Sequence, residues 1–226
     1  MNKNIQPLLR LVLIYLVYFV YAIIISNILK IFGISNEIAL VFVADLLFFI
    51  GITYLYKDSL KDGYNKFIKK YNLSKRVLFI LKWIAILFGI NILGGIITEL
   101  LVPNLLEDGN TTSIYSIASI STVYTIFKTL IFAPIAEELV FKKTIRELIN
   151  NNALFIVTSS LVYSLINVMY TDITLLTLID MISYFIFSTV LSYIYVKNED
   201  NIVMPIIIKF FYNLIPLILM IISIGV

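Results

Sequence analysis

The chain has no cysteine and no histidine. Without cysteine there is no disulfide framework, no thiol nucleophile and no zinc finger. Without histidine, the commonest transition-metal ligand and the usual general base at neutral pH are both missing. Charge is scarce as well: 14% of the 226 residues are Asp, Glu, Lys or Arg, against 61% hydrophobic. A soluble domain carries roughly 25% charged and 45–50% apolar residues. Any chemistry must therefore come from carboxylates, Lys, Asn, Ser, Thr and Tyr.

Long apolar runs take up most of the chain. Seven follow one another, near residues 8–32, 37–56, 77–102, 114–150, 153–170, 173–196 and 202–226. Each has roughly the 17–25 residues or more that a helix needs to cross ~30 Å of hydrocarbon. The fold class they predict is all-α. It is a polytopic transmembrane helical bundle of about seven spans, with six to eight fitting, in one integral membrane domain over 1–226. The first run follows Lys3 and Arg10, is too long for a signal peptide and precedes no small-residue cleavage site, so it reads as a retained span.

Cations mark one side of this bundle. Segment 57–76 holds seven of them and two aspartates, for a net +5. Lys142, Lys143, Arg146 and Lys197 fall at span ends on the same side, while turns 33–36, 103–113 and 171–172 have none, although 103–113 carries Glu107 and Asp108. The positive-inside rule then places the N-terminus in the cytoplasm. This charge bears on orientation and the lipid bilayer, not on nucleic acid. Tyr64, Phe67, Ile68 and Tyr71 recur at helical spacing within 57–76. That fits a short amphipathic helix on an anionic membrane surface, or equally a solvated loop that only sets topology. Gly89, Gly94 and Gly95 would let the third span approach another helix closely, within the chain or across a dimer face; oligomeric state is open.

A few polar residues break the apolar runs, each at a cost of about 2.5–3.5 kcal/mol if charged and unpaired. Glu137 and Glu138 are adjacent, just after Pro134, which frees the carbonyl of Leu130 and favours a kink. Glu138 and Lys142 are one turn apart and share a face. Asn167 lies in the fifth run, and Lys209 and Asn213 sit one turn apart on the seventh. Lys209 needs an anion and pairs most economically with Glu137, Glu138 or Asp180. Asp45, Lys128 and Asp180 read as packing pairs, and Asn27 and Asn91 as interhelical hydrogen bonds. No cofactor is expected. An all-oxygen Mg²⁺ or Ca²⁺ site from Glu137, Glu138 and Asn213 is opposed by the nearby lysine, and zinc lacks its nitrogen and sulfur ligands.

Pro134-Ile135-Ala136-Glu137-Glu138-Leu139-Val140-Phe141-Lys142 resembles the first motif, Glu-Glu-x-x-x-Arg, of the CAAX-protease and bacteriocin-processing family of intramembrane proteases. The second motif, Phe-x-x-x-His, is matched by Tyr163 through Asn167, with Tyr for Phe and Asn for His. The third, His-x-x-x-Asn, is matched by Lys209 through Asn213, with Lys for His and the Asn kept. The resemblance covers about residues 120–220. It implies that Glu137, Glu138, Lys142, Asn167, Lys209 and Asn213 meet at the place where the family activates water. Both histidines are lost and the arginine has become lysine, so that mechanism cannot run unchanged. The first reading is a pseudoprotease that binds a peptide or membrane-protein partner, in a self-immunity or regulatory role of the kind found in the family. Its Glu137–Lys209 pair would tie up the carboxylate that a protease needs. A second is a variant protease with Glu137 as base and Asn167, Asn213 or Lys209 as oxyanion donors. A third is a small ion or solute transporter. The five residues Glu137, Glu138, Asn167, Lys209 and Asn213 are expected on one cavity opening towards the cytoplasmic half.

Overall fold

A computed structural model describes residues 5–101, 121–169 and 171–224. The acidic loop with Glu107 and Asp108, and the expected start of the fourth span near Ile114, lie outside the described residues. Among those described, the chain is helical with no strand.

Helices α1 (Ile5–Ile31) and α2 (Glu37–Leu55) form a hairpin. Gly33 sits at φ +83° and closes α1: its N–H donates to Lys30 O, and the Ile34 N–H donates to Leu29 O. Only glycine takes that left-handed position without strain. Asn36 then caps α2 by accepting from the Ala39 N–H at 2.9 Å. Residues 57–76 begin with a helix, not a loop: α3 (Lys57–Lys70) precedes the long α4 (Leu73–Leu101).

Thr122–Ile126, Phe127–Glu137, Leu139–Lys143 and Thr144–Arg146 run on as one helix, α5. Most of it, from Phe127 to Lys143, is wound as a wide π-helix with i→i+5 bonding. Pro134 has no N–H and its ring crowds the carbonyl four residues back, so a wider turn accommodates it. The expected kink is thus expressed as a change of winding. α6 (Asn152–Val168), α7 (Leu175–Lys197) and α8 (Val203–Ile224) complete the bundle.

Five of these helices, α1, α2, α4, α7 and α8, are long and apolar enough to cross a membrane. The two remaining apolar runs are α5, which carries most of the intramembrane charge, and the shorter α6. Large side chains such as Leu9, Ile23, Ile92 and Leu219 lie exposed around the outside. In water that surface would aggregate; against lipid it costs nothing. The protein is an integral membrane protein whose interior is more polar than its rim.

α5 is the central element. Phe132, Ala136, Leu139, Val140 and Phe141 are buried on it, and it packs against α8, α2 and α6. Phe141 meets Tyr18 and Tyr163 edge to face, at 5.2 and 5.6 Å between ring centroids. The close-packed seam lies between α6 and α7, where Ser159, Ser160, Ser188 and Ser192 are fully buried and the Oγ atoms of Ser159 and Ser192 stand 2.9 Å apart. Gly89, Gly94 and Gly95 do not play that part among the described residues, where a Cβ at any of them would meet nothing within 4 Å. Asn91 does bond across helices, donating to the Tyr212 hydroxyl at 2.7 Å; Asn27 makes no such bond among the described residues.

Candidate functional site

Four helices deliver the polar side chains of the site. The wide turns of α5 carry Glu137 and Glu138, and Lys142 follows one turn on. Tyr163 and Asn167 come from α6, Ser188 from α7, and Lys209 and Asn213 from α8.

Lys209 is the hub. Its Nζ donates to Glu137 Oε2 at 2.9 Å, Glu138 Oε1 at 3.2 Å and the Tyr163 hydroxyl at 3.5 Å, and it lies 4.8 Å from the Tyr163 ring centroid. An ammonium has three N–H donors, and all three are engaged. Its side chain is 3% exposed. Lys142, fully buried, donates to Glu138 Oε1 at 3.1 Å and to the Ser188 hydroxyl at 3.4 Å. Its Nζ also lies 2.8 Å from Glu138 Oε2, which receives charge without an aligned hydrogen bond. Two carboxylates and two ammonium groups thus form one neutral quartet. Lys209 chooses both glutamates, not Asp180.

A cavity of about 310 Å³ adjoins the quartet. Glu137, Asn167, Lys209 and Asn213 line it, together with Tyr163 and Tyr184. Glu138 and Lys142 do not; they lie behind, fully buried. The two asparagines are held by carbonyls: Asn167 Nδ2 donates to Tyr163 O at 2.8 Å and Asn213 Nδ2 to Thr129 O at 2.9 Å. A carbonyl can only accept, so the amide nitrogen must face it and Oδ1 is left without a protein donor among the described residues. Glu137 Oε1 is likewise unpartnered there. The cavity therefore presents free carboxamide and carboxylate oxygens beside the hydroxyls of Tyr184 and Tyr212.

Its lining residues are set back from the α3 end of the bundle. At ~1.5 Å of rise per residue, measured from the side of the bundle where α3 lies, Lys209 sits about 9 Å beyond Val203 and Asn167 about 22 Å beyond Asn152. All the lining residues lie at or beyond the level of Lys209. Phe67, Leu191, Met204 and Ile208 pack together at the α3 end of the bundle.

Residues 119–215 match the sequence profile of the Rce1-like family, the type II CAAX prenyl endopeptidase Rce1-like proteins. This is a CAAX-protease-like membrane protein. The matched region includes every residue of the quartet and both cavity asparagines. No curated protein and no solved structure matches the chain. A divalent cation does not fit this CAAX-protease-like core: both carboxylates already face ammonium groups, and the two histidine positions hold Asn167 and Lys209.

Sequence reasoning named Tyr163 only as a motif position, yet it shares Lys209 with the glutamates and stacks beside both lysines. A hydroxyl at the phenylalanine position was the available signal. Ser188, Tyr184 and Tyr212 gave none. A second buried cluster stands apart from the cavity, as the expected packing pair. Asp45 accepts from the Tyr21 hydroxyl, from the Tyr124 hydroxyl at 2.9 Å and from Lys128 at 2.8 Å.

Proposed function

We propose that this protein binds a peptide or a membrane-protein segment in the α5–α8 cavity and does not hydrolyse it. The observation that carries this reading is the 2.9 Å contact between Lys209 and Glu137, buried at the place where the family motif has a histidine. A protease of this kind needs one group to take a proton from water and others to donate to the oxyanion. Here the first faces an ammonium, and the ammonium has no N–H left to give. What the cavity offers a ligand is carboxamide and carboxylate oxygens and phenol hydroxyls among aromatic walls, which suits the N–H and C=O groups of a peptide segment. Basic residues at the α3 side support an N-terminus in the cytoplasm, with the cavity reached from the far half of the membrane. A self-immunity or regulatory role, of the kind the family includes, accords with binding.

One observation favours the alternative, a glutamate-dependent protease: Glu137 keeps one carboxylate oxygen towards the cavity. Profiling of protein N-termini in native membranes separates the two. Wild type, a deletion strain and Glu137→Gln are compared at equal expression. Binding predicts that no cleaved N-terminus distinguishes wild type from Glu137→Gln, and that a photo-crosslinker placed at Asn167 captures a membrane protein. A product made by wild type alone refutes it.

A further inference from the structure

We propose that α3 is a binding site for the anionic lipid headgroups of the leaflet it borders. Its position leaves little choice. Tyr56 alone separates α2 from α3, and Tyr71 and Asn72 alone separate α3 from α4. A helix of 14 residues is about 21 Å long. Tied at both ends to membrane spans, it lies along the membrane surface.

One face of α3 is already occupied. Asn201 Nδ2 donates to Gly63 O at 2.9 Å, and a Cβ on Gly63 would come within 2.5 Å of Asn201 Oδ1 and 2.8 Å of Val203 Cγ2. Phe67 is buried against Met204 and Ile208. This docking fixes the rotation of the helix and so decides what is left outside. Lys57, Lys61, Tyr64 and Ile68, spaced four, three and four residues apart, form one exposed stripe. Tyr64 is 56% exposed, and the stripe runs on to exposed Tyr54 and Leu73 at the span ends. Lys57, Lys61, Lys66, Lys69 and Lys75 have no carboxylate partner among the described residues. Unpaired ammonium groups beside exposed apolar side chains, continuous with the lipid-facing rim, match a phosphate-bearing headgroup above acyl chains. A soluble acidic partner would satisfy the lysines but would leave that continuity unexplained.

The test is native mass spectrometry of the detergent-solubilised protein, titrated with phosphatidylglycerol and, separately, with phosphatidylcholine. Wild type is expected to retain phosphatidylglycerol preferentially. The triple variant Lys57→Gln/Lys61→Gln/Lys69→Gln should lose affinity for it by about fivefold per lysine. Phosphatidylcholine retention should not change, and Lys30→Gln, at the opposite end of α1, should match wild type. The arginine version of the triple variant should keep the affinity. All three positions are exposed, so an equal melting temperature confirms that the fold is intact. Equal retention of the two lipids by wild type, or an unchanged phosphatidylglycerol affinity in the glutamine variant, overturns the assignment.

Discussion

Replacing Lys209 by methionine isolates the role of its charge. Methionine keeps most of the stem and adds no polar atom, so little cavity is created. What is lost is the ammonium that serves Glu137 at 2.9 Å and Glu138 at 3.2 Å. Lys142 still pairs with Glu138, but Glu137 loses its cation and the buried quartet carries a net negative charge. Removing one partner of a buried pair costs about 3–5 kcal/mol, far more than an exposed lysine contributes. The assay is unfolding in mixed detergent and SDS micelles, followed through Trp83, the one tryptophan, which packs 6.0 Å from Tyr193 between α4 and α7. Lys57→Met, on exposed α3, is the matched control and should leave the midpoint where it is. Adding Glu137→Gln to Lys209→Met restores neutrality and should recover at least ~2 kcal/mol, a coupling expected of residues in contact. The reasoning fails if Lys209→Met unfolds at the same point as Lys57→Met, or if Glu137→Gln makes the lysine variant worse.

Asp45→Asn should cost less, about 1–3 kcal/mol in the same assay, because Lys128 is 38% exposed and lies near a helix end, where it can reach the membrane interface. A loss as large as that of Lys209→Met would show that Lys128 cannot escape. Gly63→Ala should force Asn201 and Val203 aside and loosen α3 from α8, at about 1–3 kcal/mol. Hydrogen exchange read by mass spectrometry should then speed up across Lys57–Lys70 while α6 and α7 keep their protection.

How much of this was legible in the sequence follows from what a membrane leaves visible. Span positions were legible because length and continuous hydropathy determine them, and caps such as Gly33 and Asn36 mark their ends. That Lys209 needs an anion, and that Asp45 and Lys128 belong to packing pairs, was legible because a charge in hydrocarbon must find a partner; which anion each lysine takes was left open between Glu137, Glu138, Asp180 and Asp45. Helix rotation was not. α4 is apolar all round, so nothing in its composition says that Gly89, Gly94 and Gly95 face open space instead of a neighbour. The seam went to serines on α6 and α7, which are small enough for close approach; of these, Ser159 bonds back to Ile156 O and pairs with Ser192. Pro134 announced a break in regular winding but not its form. Which residues line the cavity depends on how four helices come together, which no single segment encodes.

The substitutions in the motifs are themselves consistent with one another. Two glutamates and one arginine, with two neutral histidines, would leave a site with one negative charge in excess. Here Lys142 keeps the arginine's positive charge, Asn167 replaces one histidine without changing the charge, and Lys209 replaces the other and adds a cation. The sum becomes zero. In a medium that penalises every unbalanced charge, a buried acidic pair is stabilised by gaining that cation. The same change removes the group best suited to pass a proton to and from water. Random loss would have left the acidic pair unsupported. Its retention comes with a lysine that reaches both members and a tyrosine that shares that lysine, so every charge of the quartet has a partner within the bundle; that charge balance is what the proposed binding role rests on.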